Sequence, residues 1–199
     1  QFNFSDVKGL SYNQLSQHYQ LYKGYVNSVN KVRNNLENNS AYENPSSTYS
    51  NLRSAVKAQS YAIDGVKLHE LYFKNLTGKN TIPSGGIEKL IVDKYGSYDS
   101  FVEKFTNTGL SVRGWVTLSI DPYDNELYIY GQDAHDEGVV LNAFPLIVLD
   151  VYEHAYMIDY GINRKKYIDV FFNNLDYKVV NQRLKEYYIK NNNKSPQYF

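Results

Sequence analysis

From residue 11 to residue 37, apolar and aromatic positions recur at helical spacing: Leu15, Tyr19, Tyr22, Val26, Val29, Val32 and Leu36 form one stripe, with no proline and a single glycine. This period predicts a long amphipathic helix, with Ser11 as its cap and Gln14 three residues on. Residues 40–50, which hold Asn44-Pro45-Ser46-Ser47, read as a loop, and a second helical pattern runs from Leu52 to about Leu76. The two together predict an antiparallel helical hairpin. Thr77 to Gly86, with Gly78, Pro83, Gly85 and Gly86, is the most punctuated stretch and marks a boundary between a helical unit at 1–80 and a second unit at 81–199.

Beyond the boundary, 86–95 and 97–108 read as two shorter helices, the second with Phe101 and Phe105 on one face. The period then changes. Trp115-Val116-Thr117-Leu118-Ser119-Ile120 and Glu126-Leu127-Tyr128-Ile129-Tyr130 are strand-like runs joined by the turn-forming Asp121-Pro122-Tyr123-Asp124-Asn125. Pro145-Leu146-Ile147-Val148-Leu149 is a third, buried strand, and 151–160 and 167–175 are helical again. The expected fold class is α+β: an N-terminal antiparallel helical hairpin, then a C-terminal α/β domain with a three-stranded antiparallel sheet. The polar tail from Lys190 to Pro196 reads as a frayed end.

A chain of 199 residues with 42% hydrophobic residues can bury a substantial core. Cysteine is absent, which excludes disulfides, thiolate zinc sites and thiol nucleophiles, and leaves His, Asp and Glu as the strong ligands. The 21 basic and 21 acidic residues cancel, so neither nucleic acid nor an anionic membrane is an expected partner. The longest mainly apolar stretch, Ala143 to Val151, is too short to span a bilayer. Gln1-Phe2-Asn3-Phe4 lacks a charged segment followed by an apolar one, and a cytoplasmic location is expected; a start at Gln rather than Met leaves room for a trimmed leader.

The candidate chemistry centres on Leu149-Asp150-Val151-Tyr152-Glu153-His154-Ala155-Tyr156. Asp150 ends an apolar strand, where an ionised carboxylate is costly unless it is paired or bound to a metal. If the chain turns helical there, His154 projects from the same face four residues on. A helix-capping aspartate with an incidental histidine is the plain alternative. His18 on the first helix and His69 on the second shift the balance, because three imidazoles and one carboxylate from three elements suit Fe or Mn with one coordination position left open.

The segment 149–156, followed by Asp159-Tyr160-Gly161, Asn163-Arg164 and Tyr167, resembles the C-terminal signature of the iron/manganese superoxide dismutases. The likeness extends to Leu15–Asn30, His69–Leu76 and Gly114-Trp115. It implies disproportionation of superoxide to oxygen and hydrogen peroxide at one Fe or Mn ion per subunit, held between the two units by His18, His69, Asp150 and His154, with solvent in the fifth position. It also implies a homodimer in which Glu153 reaches the other subunit's ligand histidine.

Strict alignment with the family would put Gln17 rather than His18 at the first ligand position, since the ligand there precedes the gateway tyrosine by eight residues, and His18 precedes Tyr25 by seven. At 3.6 residues per turn, seven residues return a side chain to within roughly 20° of its starting direction, whereas eight leave it about 80° away. This favours His18. Tyr22 stands where a second gateway histidine is usual, and Met157 where a neighbouring subunit contributes a tyrosine. The helix position that often supplies a hydrogen-bonding Gln is Gly65, so that role passes to His135 or Gln132. Tyr25, Trp115, Tyr72 and Tyr152 are expected to line the pocket, with Tyr25 delivering a proton and Lys23 and Arg164 as candidate anion guides. Two other readings stay open: a metal-free structural homologue of the family, and a non-haem iron oxygenase using two histidines and one carboxylate.

Overall fold

The computed structural model describes residues 2–79 and 82–191; most of the expected frayed tail, and two residues of the punctuated boundary, lie outside the described residues. Helix α1 spans Tyr12–Leu36 and α2 spans Asn51–Asn75. Each starts at a serine whose side chain accepts an otherwise unpaired backbone N–H: Ser11 from Gln14 and Ser50 from Arg53. Contacts run in opposite senses along the two helices, with His18 beside His69 and Tyr25 beside Tyr61, so the pair is the expected antiparallel hairpin. A 3₁₀ turn at Asn39–Tyr42 lies in the connection.

Helices α3 (Gly85–Tyr95) and α4 (Tyr98–Ser111) lead into strands β1 (Trp115–Asp121), β2 (Glu126–Gln132) and β3 (Phe144–Asp150). The sheet order is β2-β1-β3, antiparallel throughout, with a register irregularity at Leu118/Ser119. Its register sets Trp115 opposite both Gln132 and Asp150. Six of the seven residues of the central strand are buried, covered by Phe101, Phe105, Ile87, Phe171 and their neighbours. No helix among the described residues is long and apolar enough to cross a membrane.

Four features differ from the pattern-based expectation. The strand expected at 145–149 gains a residue at each end and so takes in Asp150. The helix expected at 151–160 is instead a 3₁₀ turn at Glu153–Ala155 followed by the single turn α5 (Met157–Tyr160), because Tyr156 leaves helical geometry at φ −147°. The next helix, α6 (Arg164–Phe172), starts three residues early, where the Asn163 side chain caps it by accepting the Lys166 N–H. A final helix, α7 (Tyr177–Lys190), has no counterpart in the expectation. Its inward face is Tyr177, Val180, Arg183, Leu184, Tyr187 and Tyr188, and the buried arginine breaks the apolar stripe that periodicity detects.

Arg183 is 6% exposed and donates to Asn75 Oδ1 and Leu146 O, each from Nη1, and to Leu71 O from Nη2. One side chain thereby joins α7, α2 and β3. Burial lowers its pKa to about 10, which still leaves it charged at neutral pH. Replacing it with methionine keeps volume but removes three buried hydrogen bonds from a charged donor, each worth about 1 kcal/mol or more, with Asn75 Oδ1 keeping only the Val148 N–H. Arg183→Met is therefore expected to lose about 3 kcal/mol, read as a lower urea midpoint.

Candidate metal centre

The hairpin and the sheet meet where four side chains converge. His18 comes from α1, His69 from α2, Asp150 from the last position of β3 and His154 from the 3₁₀ turn after it. One ligand atom from each lies within 4.8 Å of all the others. Asp150 Oδ2 is 3.1 Å from His18 Nε2, 3.1 Å from His154 Nε2 and 3.6 Å from His69 Nε2. The first three residues are fully buried, whereas the His154 side chain keeps 29% exposure and faces the way out. Gln17, the rival of His18, is exposed and bonds to Asn13.

His69, Asp150 and the His154 turn are each held by contacts outside the cluster, whereas His18 Nδ1 is buried without a partner. His69 Nδ1 lies 2.6 Å from the carbonyl of Gly65, which can only accept, so Nδ1 carries the proton and Nε2 keeps its lone pair. That Nε2 has no hydrogen-bond partner. Asp150 Oδ1 accepts the Tyr152 N–H at 2.9 Å, which turns Oδ2 toward the imidazoles. Its backbone carbonyl accepts from the Tyr167 hydroxyl, itself 3.0 Å from that of Tyr72. The His154 turn is tied to α1 by Gln14, which donates to the His154 carbonyl and accepts the Ile158 N–H. Gln14 figured in the sequence only as a helix-start residue; its polar side chain on the buried stripe, one turn before His18, was the available signal.

The electrostatics follow from this packing. Burial opposes charge on Asp150, yet His154 and His18 hold its carboxyl well below the usual range. Burial pushes His18 down despite the hydrogen bond and charge of Asp150, and pushes His69 down to about 3. At the more open His154 burial is outweighed by Asp150, and the pKa is raised. Two neutral imidazoles and an ionised carboxylate are the protonation states a metal requires.

Aromatic rings wall the cluster. Trp115 lies 4.9 Å from His69, Tyr72 5.1 Å from His18, Tyr25 5.3 Å from His69, and Tyr152 stacks on His154 at 5.1 Å between centroids. Tyr22 is farther out, 6.4 Å from His69, with its hydroxyl donating to Glu70 at 2.9 Å. His135 is fully buried against Tyr25, and its Nδ1 accepts the Trp115 indole N–H at 2.9 Å. Its second nitrogen must then carry the proton, and that Nε2 has no partner. Space for this ring exists because α2 has Gly65 there: a Cβ would sit 3.1 Å from His135 Cδ2 and 3.2 Å from the Tyr25 ring.

Gln132 is not brought into this group. Its carboxamide lines a separate cavity of about 430 Å³ with Leu68, Thr117, Ser119 and Pro145, and its Oε1 is buried without a partner. Glu153 is exposed beside His154, and Met157 is 44% exposed. Of the two candidate anion guides, Lys23 lies over the Tyr19 ring, whereas Arg164 is committed to Tyr156 Oη and to the carbonyls of Gly109 and Val112.

A family model described as iron/manganese superoxide dismutases, C-terminal domain, matches residues 83–183. The chain is 35% identical over 185 residues to superoxide dismutase [Fe] of Aquifex pyrophilus, covering 91% of this chain and 87% of that one; the same figures hold for the Aquifex aeolicus protein of that name. It is 30% identical over 166 residues to superoxide dismutase [Mn] 1 of Halobacterium salinarum, covering 83% and 81%.

The buried histidines make the metal-free protein acid-sensitive. His69, at about 3, and His135, lowered by burial to about 4, bind fewer protons when folded than at their ordinary 6.5. The unfolded chain therefore takes up more protons between about pH 4 and 6.5, and stability falls as pH drops through that window, by about 1 kcal/mol per unit for each group. His154, with its raised pKa, works in the opposite direction near 6.5 and offsets part of the loss. Urea midpoints of the metal-free protein at pH 7 and pH 5 check this; equal midpoints would contradict it.

Proposed function

The chain belongs to the iron/manganese superoxide dismutase family, and we infer from that premise that His18, His69, Asp150 and His154 hold its Fe or Mn ion. The protein is a superoxide dismutase, converting superoxide to oxygen and hydrogen peroxide. The observation that carries the ligand assignment is the convergence of four donor atoms within 4.8 Å, drawn from separate elements and buried around one ionised carboxylate. Nitrogen and oxygen donors without sulfur suit Fe or Mn. All four ligands are present, against a metal-free role, and the third imidazole argues against an oxygenase, which leaves more positions open.

When bound, the metal supplies the redox chemistry, taking an electron from one superoxide and passing it to a second. The residues supply the rest. Asp150 contributes the negative charge that stabilises the cation, and the Gly65 carbonyl and Gln14 orient His69 and His154. With Nδ1 taken by Trp115, His135 offers only Nε2–H and acts as a fixed donor inside the pocket. Tyr25, half-buried beside His69 and His135, delivers a proton to the reduced product. His135 is favoured over Gln132 for the donor role because Gln132 faces the separate cavity.

We also propose a homodimer. Exposed Glu153 adjoins ligand His154, and Met157, Ile158 and Ile162 leave apolar surface close by, 93% exposed at Ile162. Glu153 then reaches the ligand histidine of the second copy.

Metal content after His18→Ala should fall below a tenth of an ion per subunit, on the order expected when one of four ligands is lost. Gln17→Ala should retain both metal and superoxide consumption; the reverse pattern would move the first ligand to Gln17. Sedimentation at micromolar concentration should give twice the chain mass of 23.1 kDa, and a monomer would remove the role of Glu153.

A further inference from the structure

His135 is packed by a second tyrosine that the ligand cluster does not touch. Tyr61 lies on α2, two turns before His69, with its ring centroid 4.5 Å from that of His135 and 6.0 Å from that of Tyr25. The loop that carries His135 is tied to α2 beside Tyr61, because Ser60 donates to Asp136 at 2.6 Å, and Asp136 follows His135. Tyr61 is 38% exposed, so one end of it meets solvent while the other abuts the pocket wall. Tyr25 and Tyr152 are pushed up, first by burial and then by interaction with Tyr61.

The other tyrosine at the entrance cannot serve equally. Tyr22 already gives its hydroxyl proton to Glu70. Tyr61 is both exposed to solvent and adjacent to Tyr25.

We propose that Tyr61 is the outer relay residue that hands protons from solvent to Tyr25 during turnover. The inference rests on the dismutase reading. Disproportionation of two superoxide anions consumes two protons and yields one oxygen and one hydrogen peroxide. One of those protons moves in a chain: solvent protonates the Tyr61 oxygen as the Tyr61 proton passes to Tyr25, and the Tyr25 proton passes to the reduced product. Each phenol ends with the proton count it began with, so Tyr25, whose ionisation burial disfavours, does not have to ionise.

Tyr61→Phe tests this, since it keeps the ring on His135 and deletes only the hydroxyl. The metal-loaded variant is mixed rapidly with superoxide in its pre-reduced and pre-oxidised forms, so that the proton-consuming and proton-independent half-cycles are timed apart. The proton-consuming half should slow by about tenfold or more, the scale of a lost proton-transfer group, with a changed solvent deuterium isotope effect. The other half, the metal content and the azide affinity should stay within about twofold of the parent. Two unchanged half-cycles would overturn the proposal, and so would equal slowing of both or a loss of azide affinity, which would make Tyr61 part of the anion path or of the scaffold. If the loaded parent protein itself consumes no superoxide, the dismutase reading fails first and is recognised separately.

Discussion

The protein is organised around one buried carboxylate. Asp150 sits fully enclosed at the end of a β-strand, where an isolated negative charge would cost several kcal/mol. It is tolerable there because one oxygen accepts a backbone N–H and the other faces three imidazoles. The dependence is mutual: Asp150 is the one group whose charge favours protonation of His18 and His69, and His154 owes its raised pKa to the same carboxylate. The antiparallel hairpin, the β1–β3 register and the turn after β3 can each be read as a way of bringing a partner to Asp150.

A second constraint is steric. Helix α2 carries glycine one turn before His69, and the His135 imidazole fills the space it leaves. That placement lets the Trp115 indole set which nitrogen of His135 bears the proton. The same packing distinguishes the surroundings of the two polar residues that the sequence offers for the donor role, His135 and its alternative Gln132. Gln132 ends a strand and is held by its register, whereas His135 lies three residues farther along a loop free to fold back over Gly65.

Much of this was legible in the chain. The hairpin, the switch from a helical to a strand period and the three strands follow from spacing alone, and helical phase put His18 ahead of Gln17. The proximity of Asp150 and His154 was also foreseeable, though not its route: the side chains meet across a strand end and a 3₁₀ turn rather than one turn of α-helix. Helix α7 stayed hidden because its inward stripe includes a charged residue whose partners are carbonyls more than thirty residues away. Tyr61 gave no signal, being one of 21 tyrosines and lacking the repeated context that singled out the histidines.

Gln14 tethers the start of the chain to a turn 140 residues later, and His18 meets Asp150 across a separation of 132. In polymer terms an ion gripped by these groups is a cross-link that closes a very long loop, in a chain with no cysteine to close it covalently. Disulfides closing loops of this length contribute about 4–5 kcal/mol by restricting the unfolded ensemble. A metal that binds only the folded chain adds its own free energy by mass action. Supply of the ion thus governs how long the fold survives as well as whether it reacts, and the unloaded chain is the form most open to proteolysis.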